Sequence, residues 1–381
     1  MNDHLKRYRI TLNVLSPVHI GSGEIIGKKE YIYDKRKGLI YYPDIHRMIH
    51  VLKEKKLLDA YESFILGGNN DLHKFLNNHH IDFYPWAGAP INVMGETDYK
   101  FNQINAFIKD PYGLPYVPGS SIKGAFRNIV LIHEARRRRE GGASVEVSRL
   151  NPVGNRRDIE READRIEIEL LNILNRNEDN KNSATNDVMA AFRFSDSEPV
   201  DRGTIIICSK IDGLPNSLNR GQNKISAYKE CIKPGTIVKL MLTVDIGMLK
   251  SNKYSDMFAQ RKFKVQNSDG GELLIFLELL NNFNSTYTKE YRANFSGITS
   301  FLPNTIYLGG GTGFLTKTML LGLYDSKARL DFTSRLLSER FKNHRHKDDK
   351  ELGVSPHMIK LTEYNGEIYE MGMCALEIME V

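Results

Sequence analysis

Four strand-like stretches, at 189–194, 204–211, 224–232 and 236–245, succeed one another at a spacing of about ten residues with turn residues between them. A chain with that rhythm folds antiparallel hairpins there, not the regular strand-helix alternation of a doubly wound sheet. The rest of the sequence mixes both kinds of element. Residues 8–15 (YRITLNVL) alternate polar and apolar side chains and read as a strand. Short strands at 31–33 and 39–42 flank the turn DKRKG, and Asp44 is placed to cap a helix over 45–56, with a second over 57–66. The stiff loop PYGLPYVPG leads into a helix from Ile122 to about Arg139, with Ser120 or Ser121 as its cap. A helix at 272–281, extended toward 295, further helices at 315–323 and 327–341, and a terminal strand at 373–379 complete the pattern. Such mixing favours α+β layers, and two split βαβ modules are the natural packing.

With 381 residues the chain is expected to form two such modules, 1–200 and 201–381, the second carrying a glycine-rich loop. Residues 141–187 differ in character. They hold GGAS, a charged helical stretch at 158–174 and the polar run NRNEDNKNSATND, so they read as an insertion whose last piece is expected to be mobile. Cys208, Cys231 and Cys374 are scattered with no CxxC, which argues against disulfides and a structural zinc site and for a cytoplasmic protein. Apolar runs are too short to cross a bilayer and the first residues are charged, so neither a membrane partner nor a secretory signal is expected. His344 and His346 form an HxH pair in KNHRHKDDK, a stretch that reads as a solvated loop; no metal, cofactor or catalytic residue is assigned.

The segment IYLGGGTGFLTKT comes close to a phosphate-binding P-loop, which needs GxxxxGK followed by Ser or Thr. Thr316 stands where the last glycine is required, so the hydrolase reading fails, and GxGxxG fails at the same place. What survives is a loop whose glycines Gly310, Gly311 and Gly313 let backbone approach a ligand, beside Lys317; a plain turn between strand and helix stays open. A second candidate cradle is YVPGSSIKGAFRN. Ser120, Ser121, Lys123 and Arg127 lie at a helix start, with Lys123 and Arg127 four apart on one face. The third is PVHIGSGE, where Gly21, Ser22 and Gly23 follow His19, a residue that is packed at a strand end, contacts RNA or acts as a base.

The net charge of +6 is mild, but Lys28-Lys29, Lys35 to Lys37, Arg136 to Arg139 and Arg156-Arg157 cluster in the N-terminal half. Tyr31, Tyr33, Tyr41 and Tyr42 lie among the first of these as stacking platforms would.

In order, these three segments resemble the RAMP superfamily of CRISPR-associated proteins. PGSSIKGAFR matches that superfamily's signature of Pro-Gly-Ser, a second hydroxyl, an aliphatic, a base and Gly, ending on Arg; FRFSDSEP resembles a strand with Ser-Asp found downstream of it. The run and length are most similar to the Csm-complex subunit that caps the crRNA 3′ end in type III-A systems. The resemblance implies ferredoxin-like, RRM-related modules. It implies a non-catalytic, crRNA-binding role in antiviral defence, beside a neighbouring backbone RAMP subunit, with a small helical subunit and a maturation nuclease as further partners. The position of the backbone subunit's cleaving aspartate reads here as Lys28, which with Lys29 suits RNA contact better than metal-assisted cleavage. The alternative is a metal-independent RAMP endoribonuclease processing repeat RNA, with His19 as base and Lys123 or Lys317 as charge stabiliser.

Overall fold

The N-terminal strand β1 (Leu5–Val14) buries Tyr8, Ile10, Leu12 and Val14 on one face and keeps Arg7, Arg9 and Asn13 exposed, so its alternation decides which side of the sheet becomes core. The computed structural model describes residues 4–68, 71–95, 102–142, 145–147, 149–215, 224–250, 271–296 and 303–381. The further strands are β2 (Gly21–Gly27), β3 (Ile32–Asp34), β4 (Leu39–Tyr41), β5 (Ile91–Met94), β6 (Gln103–Phe107), β7 (Phe192–Phe194), β8 (Ile205–Gly213), β9 (Lys224–Ile232), β10 (Ile237–Asp245), β11 (Thr305–Tyr307), β12 (Ile359–Tyr364), β13 (Glu367–Glu370) and β14 (Met373–Glu380).

Two sheets form. The first is five-stranded, in the order β11-β14-β1-β10-β7, with every neighbour antiparallel. The long helix Gly119–Glu140 lies between β1 and β7 in sequence, and the helix Gly271–Glu290 between β10 and β14. Their contacts explain the packing: Phe126 meets Phe276 edge-on at 5.2 Å, and Phe276 meets Phe192 at 4.8 Å. Truncating Phe126, 1% exposed, would open a cavity costing about 3–5 kcal/mol.

The second sheet runs β2-β6-β9-β8-β5-β4-β3, with β12 also on β8 and β13 on β12. It is mixed, since β5 lies parallel to β8 and β6 parallel to β9. Between β4 and β5, the helices Ile45–Glu54, Leu58–Leu66 and Leu72–Asn78 bury a small core of their own around Met48, Leu52, Phe75 and Trp86.

The mixed α/β character agrees with the sequence. The division at residue 200 does not follow the sheets, because each draws strands from both sides of that position. The insertion also differs from expectation. Its helix, Arg156–Leu171, buries Ile166, Leu170 and Leu171 in the main core. The polar run after it is ordered around buried Asn186, whose amide donates to the carbonyls of Asn177, Asn180 and Lys181. A buried amide must place its donors, and here three carbonyls of the preceding loop supply the acceptors.

Candidate nucleic-acid interface

Beyond β1 the chain runs against two other segments, backbone to backbone. The Gly372 N–H donates to the Pro17 carbonyl at 3.0 Å, the Leu308 N–H to the Gly372 carbonyl at 2.8 Å, and the Gly310 N–H to the His19 carbonyl at 2.6 Å. These approaches leave no space for side chains. A Cβ at Gly309 (φ +80°) would lie 2.0 Å from the His19 oxygen, and one at Gly372 (φ +84°) would lie 2.4 Å from the Leu308 oxygen. Two of the glycine segments singled out from the sequence are therefore one structure. Thr316, which spoils the P-loop, closes the loop from within: its hydroxyl donates to the Thr312 carbonyl at 2.7 Å. A 3-10 turn, Leu315–Lys317, follows in place of the expected helix start.

His19 is 5% exposed, with Nδ1 2.7 Å from the Glu230 carbonyl. A carbonyl only accepts, so Nδ1 carries the proton and the lone pair sits on Nε2. Burial, and then the charges of Lys229 and Lys317, push its pKa down to about 4, against the pull of the Glu230 carbonyl and carboxylate. Neutral at pH 7 and this weakly basic, it is poorly matched to general-base work.

Those two lysines are the charged part of the site. Strand alternation on β9 sends Glu230 into the sheet's interior, where it accepts from the Phe107 N–H and Lys109 at 2.7 Å and from the Tyr42 hydroxyl at 2.9 Å. Lys229 takes the opposite face, and its ammonium lies 3.3 Å from where any Cβ at position 310 would stand. Its pKa is lowered by burial; that of Lys317 is lowered by burial and then by Lys229, although the Lys317 side chain still reaches the surface. Neither ammonium has an ion pair or hydrogen bond among the described residues. Two neighbouring cations without counter-charge beside glycine backbone favour an anion. Lys229 escaped sequence reading because a lysine in an alternating strand carries no motif.

Around this centre, Gly21, Ser22 and Gly23 are exposed at the start of edge strand β2, and Gly23 (φ +92°) faces open space. Gly313 (φ +90°) is open as well, whereas a Cβ at Gly311 would strike the Met371 sulfur at 2.9 Å. Lys28 is half-buried beyond β2, and Lys29 caps a helix instead of facing solvent, donating to the carbonyls of Ile65 and Gly67 at 2.6 Å.

The third segment is organised differently from the cradle expected. Pro118 precedes the helix and neither serine caps it; the Asp196 carboxylate does, accepting from the Gly119 N–H at 2.8 Å. Asp196 belongs to SDSEP, so this helix terminus already holds its anion. A Cβ at Gly119 would fall 2.5 Å from the carbonyls of Phe194 and Ser195, so the close approach there is to the chain itself. Ser120 is exposed and Ser121 half-buried. Arg127 is clamped by Asp187 and, at 3.1 Å, by Glu167, both from the insertion. Burial lowers the Lys123 pKa more than nearby Asp187 raises it. One turn beyond Gly124, Asn128 donates to the Thr316 carbonyl at 2.9 Å and so joins this helix to the glycine loop.

The basic clusters are largely neutralised. Arg136 pairs with Glu140, Arg137 and Arg138 with buried Glu134, Arg156 with Glu160, and Arg139 donates to the Gly322 carbonyl. Tyr31 and Tyr41 are core residues, 4% and 6% exposed, so they offer no stacking platform.

The RAMP superfamily model matches residues 11–315. The chain is 28% identical to the CRISPR system Cms protein Csm5 of Mycobacterium tuberculosis (strain CDC 1551 / Oshkosh), covering 99% of both chains. It is 28% identical to that of Streptococcus thermophilus, over 84% of this chain and 82% of the relative. Among solved structures, it is similar in fold to a chain of the cryo-EM Csm-crRNA-target RNA ternary complex of a type III-A CRISPR-Cas system, with TM-score 0.62, 22% identity and coverage of 98% and 100%. The crystal structure of T. onnurineus Csm5 gives TM-score 0.59 at 19% identity, covering 96% of this chain and 99% of that one. A match across most of its length, carrying the interlocked glycine segments with it, makes this chain a member of the RAMP superfamily.

Proposed function

We propose that the chain is a non-catalytic, crRNA-binding subunit of a type III-A Csm effector complex, positioned at the crRNA 3′ end. The observation that carries RNA binding is the pair Lys229 and Lys317, without an ionic partner among the described residues and set beside the Gly310–Gly313 backbone. Phosphate oxygens satisfy both cations and read no sequence, as variable guides require. Gly21 to Gly23 and the Gly124 face of the long helix extend the path on either side. The place in the complex rests on the likeness to Csm5 proteins; the strand order β14-β1-β10-β7 with two crossover helices supports a ferredoxin-like first module. The neighbouring backbone subunit, the small helical subunit and a maturation nuclease are partners of this same reading.

The test is binding of labelled single-stranded RNA across a salt titration. Affinity should fall steeply with salt, and the Lys229→Ala, Lys317→Ala double variant should lose about tenfold or more. Wild-type affinity and salt slope in that variant would sink the proposal. The endoribonuclease alternative is weakened by the low basicity and burial of His19. Discrete cuts in repeat RNA under EDTA, abolished by His19→Ala, would reinstate it.

A further inference from the structure

A cluster far from the RNA path in sequence gathers donors of another kind. His346 and Asp349 are three apart across a 3-10 turn and the short helix Asp349–Leu352, and so share a face. Gly353, at φ +70°, ends that helix, and the chain doubles back to bring in His357, eight residues past Asp349. All three are buried: Asp349 0%, His346 5% and His357 7% exposed. The stretch read from sequence as a solvated loop thus folds around its own acid.

One ligand atom from each of the three lies within 4.8 Å of the others. The His346 Nδ1 is 3.3 Å from one carboxylate oxygen, and the His357 Nδ1 is in contact with the other. Bonds of about 2.0–2.1 Å at tetrahedral angles give ligand-ligand edges of about 3.3 Å, so the first separation already has the size of a coordination edge. Two imidazoles and a carboxylate suit zinc and its neighbours in the first transition row, and neither magnesium nor calcium, which take oxygen donors. The Ser355 hydroxyl, 2.5 Å from Asp349, stands where an outer partner would orient that ligand. An ion has a way in, because His346 lines a surface cavity of about 850 Å³ with Val153, Ser338 and Phe341.

We propose that His346, Asp349 and His357 bind one divalent transition-metal ion, zinc by choice of donors, which pins the turn after the helix Ser326–Arg340 to the segment entering β12. The sequence alone argued against such a site because the stretch around His344 and His346 reads as a solvated loop; His344 is not in the cluster and His357 is.

Tag-free full-length protein, stripped with EDTA and dialysed, is titrated with Zn²⁺, Co²⁺ and Mg²⁺. The expected result is about one Zn²⁺ per chain by elemental analysis and visible d–d bands with Co²⁺. The melting temperature should rise by roughly 3 °C or more with Zn²⁺ and not with Mg²⁺. His346→Gln, at the cavity edge, and His357→Gln should each abolish the cobalt bands. Sub-stoichiometric uptake without a thermal shift in the wild type overturns the site and leaves a hydrogen-bonded knot around Asp349. So do unchanged bands in both variants. RNA affinity is read in parallel, and its loss on stripping is not expected, so the two proposals fail separately.

Discussion

The Gly310 N–H donates to the His19 carbonyl at 2.6 Å, which locks the glycine-rich loop of the C-terminal third onto the turn after the first strand. Two segments almost three hundred positions apart become a single wall, with Lys229 behind it and Lys317 at its rim.

Gly309→Ala and Gly313→Ala should therefore differ. Both place a side chain at positive φ, costing about 1–3 kcal/mol, but only position 309 also drives a Cβ to 2.0 Å from the His19 oxygen. Urea unfolding should show a mild loss for Gly313→Ala and a much larger one, or no folded protein, for Gly309→Ala. Equal losses would mean the two segments do not meet as described.

Removing the Lys229 charge should move stability and binding in opposite directions. Lys229→Met keeps the stem and deletes a cation that burial already disfavours, so the melting temperature of the free protein should rise. RNA affinity should fall, and the slope of log K against log salt should drop by about one.

Acid should weaken the fold through His19. Its folded pKa of about 4 lies below the unfolded 6.5, so the unfolded chain takes the proton first. The stability this group contributes is complete above about pH 6.5 and is lost as pH falls toward 4. Relative to His19→Asn, the wild type should lose about 2 kcal/mol between pH 7.5 and pH 5 by chemical denaturation. A constant difference would show that the histidine titrates normally.

Arg127 should behave as a tether. Arg127→Ala and Asp187→Ala should each destabilise the protein and couple in a double-mutant cycle by about 0.5–3 kcal/mol. Trypsin should then cut faster at exposed Arg176 and Lys181, while RNA affinity stays within about twofold of wild type. A large affinity loss with an intact fold would return Arg127 to the RNA path.

The sequence showed what local chemistry decides. β1 was legible because its alternation is uninterrupted, and the helix Gly119–Glu140 because Ile122, Phe126 and Ile129 repeat at helical spacing. The hairpin β12–β13 went unread although its Asn365-Gly366 turn, both residues at positive φ, is a strong short-range signal. Other features were out of reach. The cap on Gly119 comes from Asp196, 77 positions away, and the acids that occupy Arg127 lie in the insertion. Basic runs looked available because their acidic partners, such as Glu134, sit one helical turn off and are hidden by the fold. Lys229 gains its meaning only from the Gly310 loop packed beside it.

The place of β1 between β10 and β14 has a consequence for synthesis. The Met373 N–H donates to the Ser16 hydroxyl across 357 positions of chain. At roughly 5–20 residues per second, the ribosome delivers Met373 on the order of 20–70 s after Ser16. Until then the edge of β1 that β14 covers keeps its backbone N–H and C=O groups unpaired and open to other strands. Within its own five-stranded sheet, the strand made first is among the last to be closed in.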